Sequence, residues 1–138
     1  LNISAHYVEA AQRYLEAKER YPVDSEMCAR VTAEAFELLR LEACAEVAKP
    51  EWWNDQGLKA LSARVVRAAP DDAEPNRMRG FVLRGGGADA WEAGLRSAAE
   101  LREAAVHFDR AAALSPAPAL KADYADCAAR CRRAAGGV

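Results

Sequence analysis

Cys127 and Cys131 are spaced so that both thiols fall one turn apart on the same side of a helix. Two thiolates at that interval can hold a metal ion or part of an iron–sulfur cluster, but a closed site needs two further ligands. Cys28 and Cys44 are the remaining cysteines, and no Cys-x2-Cys occurs. In an alanine-rich helix the same residues read instead as small buried hydrophobes. His6 and His107 each precede an aromatic residue, Tyr7 and Phe108, with no second His or Cys at metal-ligand spacing. A Cys–His nucleophilic pair would have to be assembled by the fold, and no elbow or oxyanion loop accompanies either residue type. Gly85-Gly86-Gly87 follows Arg84 but lacks the Lys-Ser/Thr and the preceding strand of a phosphate-binding loop, so it reads as a flexible connection. Neither catalysis nor a cofactor or metal is expected.

The remaining candidates are contact residues. Trp52-Trp53-Asn54 places two indoles side by side. On a helix, adjacent positions point about 100° apart, so one indole is expected to pack inward and the other to sit at a rim, where tryptophan often anchors a partner. Arg77, Arg79 and Arg84 form one arginine group, and Arg130, Arg132 and Arg133 another. Both read as solvated helix faces and partners of helix C-termini, able to hold a small anionic patch. Trp52, Trp53, Asn54, Arg77 and Arg84 are the residues taken as the partner-binding set.

The elements that must carry these residues are helices. A first helix spans about Ser4 to Arg20 and stops before Pro22. Asp24 or Ser25 caps a second, whose apolar residues Met27, Val31, Ala35, Leu38 and Leu39 share a face and which meets no glycine or proline before Pro50. It is expected to run as far as Lys49. Pro50 suits the first turn of a third helix with Leu58, Leu61, Val65 and Ala69 as its buried stripe. Asp72 caps a short fourth helix bearing Met78, Phe81 and Val82, which the glycine run ends. Helical spacing then continues from Asp89 through Trp91, Leu95, Ala98, Leu101, Ala105, Phe108 and Ala112, with Gly94 and Ser97 dividing it in two. A last helix after Pro118 places Leu120, Tyr124, Cys127 and Cys131 on one face. Six or seven helices with short turns predict antiparallel neighbours in an all-α domain covering residues 1–138.

Composition agrees. Hydrophobic residues are 51% and charged residues 29% of 138, which argues against disorder. Alanine alone is roughly a quarter, favouring close helix packing. The net charge of −2 and pI of about 5.8 give no overall basic field for nucleic acid. No apolar run approaches the ~18 residues that cross a bilayer. Scattered cysteines point to a reducing compartment, the cytoplasm or an organelle such as a plastid. Because Leu1 rather than Met comes first, the chain is expected to be a processed or excised part of a longer product. Asn2-Ile3-Ser4 matches a glycosylation acceptor, a triplet that arises often by chance.

Two stretches share one spacing of small, aromatic, small and proline residues: Ala10, Tyr14, Ala17, Pro22 and Ala104, Phe108, Ala111, Pro116. In this the chain resembles the tetratricopeptide-type helical repeats, whose second helix carries that pattern. The first-helix signature precedes neither copy cleanly, although Trp91 and Gly94-Leu95 echo its residue types. The copies are offset by 104 − 10 = 94 residues, not a multiple of the repeat's usual period of about 34. Residues 50–131 also resemble uncharacterised helical proteins present in many copies in protist algae. The resemblance implies a degenerate stack of antiparallel hairpins, or an irregular right-handed bundle, offering a concave surface to a partner's peptide or helix. The expected role is a non-catalytic scaffold or adaptor. The alternative is a structural or linker subunit within a larger assembly, for instance an organellar membrane complex.

Overall fold

Polar caps and prolines cut this chain into six α-helices in the computed structural model, which describes residues 3–85 and 90–137. No strand occurs among the described residues. The helices are α1 (Ile3–Arg20), α2 (Glu26–Leu39), α3 (Asp55–Ala68), α4 (Ala73–Arg84), α5 (Ala98–Leu114) and α6 (Pro118–Gly136). Asn2 of the Asn2-Ile3-Ser4 triplet and most of the glycine run lie outside the described residues. Consecutive helices pack on one another as hairpins, and α2 also packs on α4.

Local chemistry explains the boundaries. The first and fifth helices each end two residues before their proline, Pro22 and Pro116, because the ring would clash with the preceding turn and supplies no N–H. Ser25 caps α2 by accepting from the Cys28 N–H at 3.1 Å. Ser97 and Glu100 form a reciprocal capping box on α5, with both bonds at 3.0 Å. Gly85 ends α4 at φ +98°, a conformation that favours glycine.

The second helix stops at Leu39 rather than reaching Lys49. A short 3-10 turn at Glu42–Cys44 follows it, and the chain folds back so that Cys44 is buried with Ala11 and Leu39, with Val47 and Leu15 packed beside them. Lys49 Nζ donates to the carbonyls of Cys44 and Val47 at 2.7 and 2.9 Å, satisfying acceptors that a continued helix would have paired itself. Burial here outweighs the helix propensity of the alanines. The third helix likewise begins at Asp55, not at Pro50, because Pro50–Trp53 closes a turn in which the Trp53 N–H donates to the Pro50 carbonyl. The expected division at Gly94 and Ser97 gives only one helix: residues 90–97 are irregular, with Trp91 buried and Leu95 fully exposed, and α5 starts after its cap.

Three apolar clusters hold the helices together. The largest joins Ala33 and Phe36 of α2, Leu58 and Val65 of α3, Met78 and Val82 of α4, and Trp91. A second joins Leu83 of α4 with Ala104, Phe108 and Ala111 of α5 and with Tyr124, Ala128 and Cys131 of α6. The third, around Ala11, Leu39 and Cys44, anchors α1. Phe81 packs on the first and second clusters, and Trp52 and Trp53 pack on the first and third. The repeated alanine–aromatic–alanine spacing is fully buried on α5, whereas Ala10, Tyr14 and Ala17 on α1 are half-buried.

Candidate functional site

Arg77, Phe81 and Arg84 recur at helical spacing along one side of α4, and α2 supplies partners for that side. Arg77 donates to the Tyr124 hydroxyl of α6 at 3.2 Å and lies 3.6 Å from the Glu37 carboxylate of α2. Arg40, which caps α2, holds the same carboxylate through two bonds at 3.0 and 2.8 Å. Its guanidinium carbon also sits 4.1 Å from the Phe81 ring centroid, and that of Arg84 sits 4.7 Å from the same centroid. Both contacts are within cation–π range. Phe81 is fixed as their platform by an edge-on contact of 5.0 Å with the fully buried Phe108. The result is a half-buried strip carrying Arg40, Arg77 and Arg84 beside the carboxylates of Glu34 and Glu37. Burial pushes the Glu34 carboxyl above its ordinary range. Among the described residues Arg84 has neither an ion-pair partner nor a hydrogen-bond partner.

The two thiols singled out from the sequence border this strip. Cys131 is buried and Cys127 half-buried, and both pack in the second cluster. Burial pushes both thiols up, although the charge of Arg84 works against it. Burial thus disfavours the thiolate form of both side chains. No group of three potential ligands gathers among the described residues.

The other members of the partner-binding set are dispersed. Trp52 and Trp53 lie in the turn before α3, not on a helix, and both are half-buried with their rings 5.9 Å apart. Trp53 packs 5.5 Å from Phe36 and 6.0 Å from Trp91, and its Nε1 donates to the Ala90 carbonyl at 2.9 Å. Trp52 flanks a shallow groove with Leu15, Lys18, Ala48 and Pro50. Its backbone lies so close to α3 that a Cβ at Gly57 would come 2.5 Å from the Trp52 carbonyl oxygen. Asn54 is the N-cap of α3: its Oδ1 accepts from the Gly57 N–H at 2.8 Å, and its Nδ2 donates to the Glu51 carbonyl. Asn54→Ala is therefore expected to lower stability by about 1 kcal/mol, read as a reduced urea midpoint at unchanged slope.

Arg77 and Arg79 are less solvated than the sequence implies, whereas Arg130, Arg132 and Arg133 are exposed as it implies. Arg79 donates to the Lys59 carbonyl at 2.7 Å and to Ser62 Oγ at 3.0 Å, and pairs with Glu103, tying α3, α4 and α5 together. Of the second group, Arg130 pairs with Asp126 along α6, and Arg132 reaches Asp109 on α5.

Two polar groups that join segments distant in sequence gave no signal in it. Asn76 donates from Nδ2 to the carbonyls of Pro70 and Asp72 at 2.9 Å each, which leaves Oδ1 to accept from His107 Nδ1 at 3.0 Å. His107 is buried and its pKa is lowered, first by that burial and also by Arg79 and Arg110, against the opposing charge of Glu103. A histidine with a depressed folded pKa binds its proton more readily when unfolded, so stability falls as pH drops below about 6.5. Chemical denaturation between pH 7.5 and 5 should show this decline, and His107→Gln should flatten it. The second group is Asp55, which accepts two bonds from Arg96 and one, at 3.0 Å, from Trp91 Nε1. The Arg96 charge beside it holds its carboxyl far below the usual range.

No helix among the described residues is long and apolar enough to cross a membrane. In comparisons with family models, with curated proteins and with solved structures, the chain matches none.

Proposed function

We propose that the chain is a non-catalytic module that binds a peptide or helix of a partner protein, in the manner of a tetratricopeptide-like scaffold or adaptor. The observation that carries this reading is the α4 strip, where a guanidinium is held on an aromatic platform with no carboxylate paired to it among the described residues. A cation fixed in that way is available to an incoming group, and arginine and aromatic residues are those that most often dominate binding energy at protein contacts. Trp52, half-buried beside its groove, is a second contact point on the far side of the third cluster. Four cysteines without disulfides suit a reducing compartment, cytoplasmic or within an organelle such as a plastid.

The test is a pull-down from an extract of the source cells with the purified chain as bait. It is run beside Arg84→Gln and Trp52→Ala variants shown by circular dichroism to stay folded. Partners captured by the parent and lost by either variant support the reading. Equal capture by all three removes both surfaces, and no capture overturns the module.

A permanent structural subunit of a larger assembly is the second reading. It is favoured by exposed apolar side chains at Tyr21, Val23 and Met27 around the α1–α2 turn, and at Leu95. Such side chains are ordinarily covered in an obligate complex. A purified chain that remains monomeric and does not bind a hydrophobic dye would exclude it.

A further inference from the structure

On the reading of the chain as a peptide-binding module, we infer that Arg84 is the seat for an acidic side chain, aspartate or glutamate, within the partner segment. Three observations converge on an absent negative charge. Glu37 already serves two guanidiniums, those of Arg40 and Arg77. On the α6 side, Asp126 is paired with Arg130 at 2.9 Å. The acidic groups nearest Arg84 on that helix, the thiols of Cys127 and Cys131, are held protonated by burial. Among the described residues no carboxylate is paired with Arg84, which stacks on Phe81 in a half-buried setting where a charge-assisted bond is stronger than in open water. The Phe81 platform and its contact with Phe108 hold the guanidinium in place before a partner arrives, which lowers the ordering cost of binding. A carboxylate fits this seat: it can take the parallel N–H donors of one guanidinium and supplies the single negative charge the strip lacks.

Random twelve-residue peptides displayed on phage, selected on the purified full-length chain, provide the probe. Selected sequences should be enriched in Asp or Glu at one internal position. In fluorescence polarisation, replacing that residue by Asn or Gln should weaken a selected peptide about tenfold, and Arg84→Gln should produce the same loss. Arg84→Lys should recover part of it, and binding should weaken as salt rises. Arg84→Gln is checked by circular dichroism, and Arg130→Gln on α6 serves as the charge control that leaves affinity unchanged. Selected peptides that bind Arg84→Gln as tightly as the parent would overturn the acidic seat and leave the module standing. Peptides that lose affinity when their C-terminus is amidated, but not when the internal acid is changed, would also overturn it, in favour of a terminal carboxylate. Failure to select any peptide above background would remove the module reading and the seat together.

Discussion

Trp53→Ala is expected to destabilise the chain by about 3 kcal/mol, against about 1 kcal/mol or less for Trp52→Ala next to it. The difference comes from what each indole touches. Trp53 stacks between Phe36 and Trp91, and its N–H is taken by the Ala90 carbonyl. Its removal leaves a void among aromatic side chains and an acceptor without a donor. Trp52 is half-buried, as Trp53 is, but it lines an open groove. Thermal and urea denaturation of the two single variants check this directly, and similar losses for both would refute the assignment of interior and rim. The same contrast decides which tryptophan is usable in binding experiments: a Trp52/Trp53 double variant would lose partners by unfolding.

Asp55→Asn is expected to cost about 3 kcal/mol near neutral pH, and the cost should shrink in acid. The Arg96 side chain is only 5% exposed and donates to both oxygens of Asp55, so removing that charge strands a buried cation. Trp91 Nε1, Arg96 Nη2 and Lys59 all converge on the same carboxylate. Because the folded carboxyl titrates far below its ordinary value, its stabilisation is complete above the unfolded pKa of about 3.9 and is lost as pH falls below it. Parent and variant should therefore differ by a constant amount above about pH 5 and approach one another below pH 4. A difference that persisted unchanged at pH 2.5 would mean that the charge of Asp55 is not what holds Arg96.

The helices themselves were legible because their signals are local. Pro22, Ser25, Ser97 and Pro116 each act within one turn of their own position, and each boundary falls where its chemistry places it; Asp72 stands at the start of α4, but its side chain pairs with Arg30 instead of capping the helix. The segments that escaped were those decided by contacts distant in sequence. Leu41 to Lys49 has helix-forming composition, but Cys44 and Val47 gain more by covering α1. Trp91 and Leu95 keep helical spacing, yet Trp91 leaves the helical path to reach Phe36 and Asp55. The polar interior was invisible for the same reason, since Arg96 and Asp55 meet across 41 residues and Asn76 and His107 across 31. At the candidate site, Arg77 and Arg84 could be named from their spacing, whereas Arg40, Glu37 and Phe81 could not. Nothing in the sequence says that the end of α2 will lie over α4.

The meeting of three apolar clusters at Phe81 and at Trp52 with Trp53 has a consequence for how the native state opens. Side chains shared between neighbouring clusters act as couplings between blocks, each with its own unfolding free energy, as in a short linear array. Amide protons of α5 and α6 are then expected to exchange with solvent as one block and those of α1 as another. Weakening Phe81 leaves each block close to its own stability while loosening the link between them, so the chain passes from one concerted transition to two. A partner bound across the α4 strip would do the reverse, joining the middle block to the C-terminal pair and slowing exchange in α6, a helix whose surface it need barely touch.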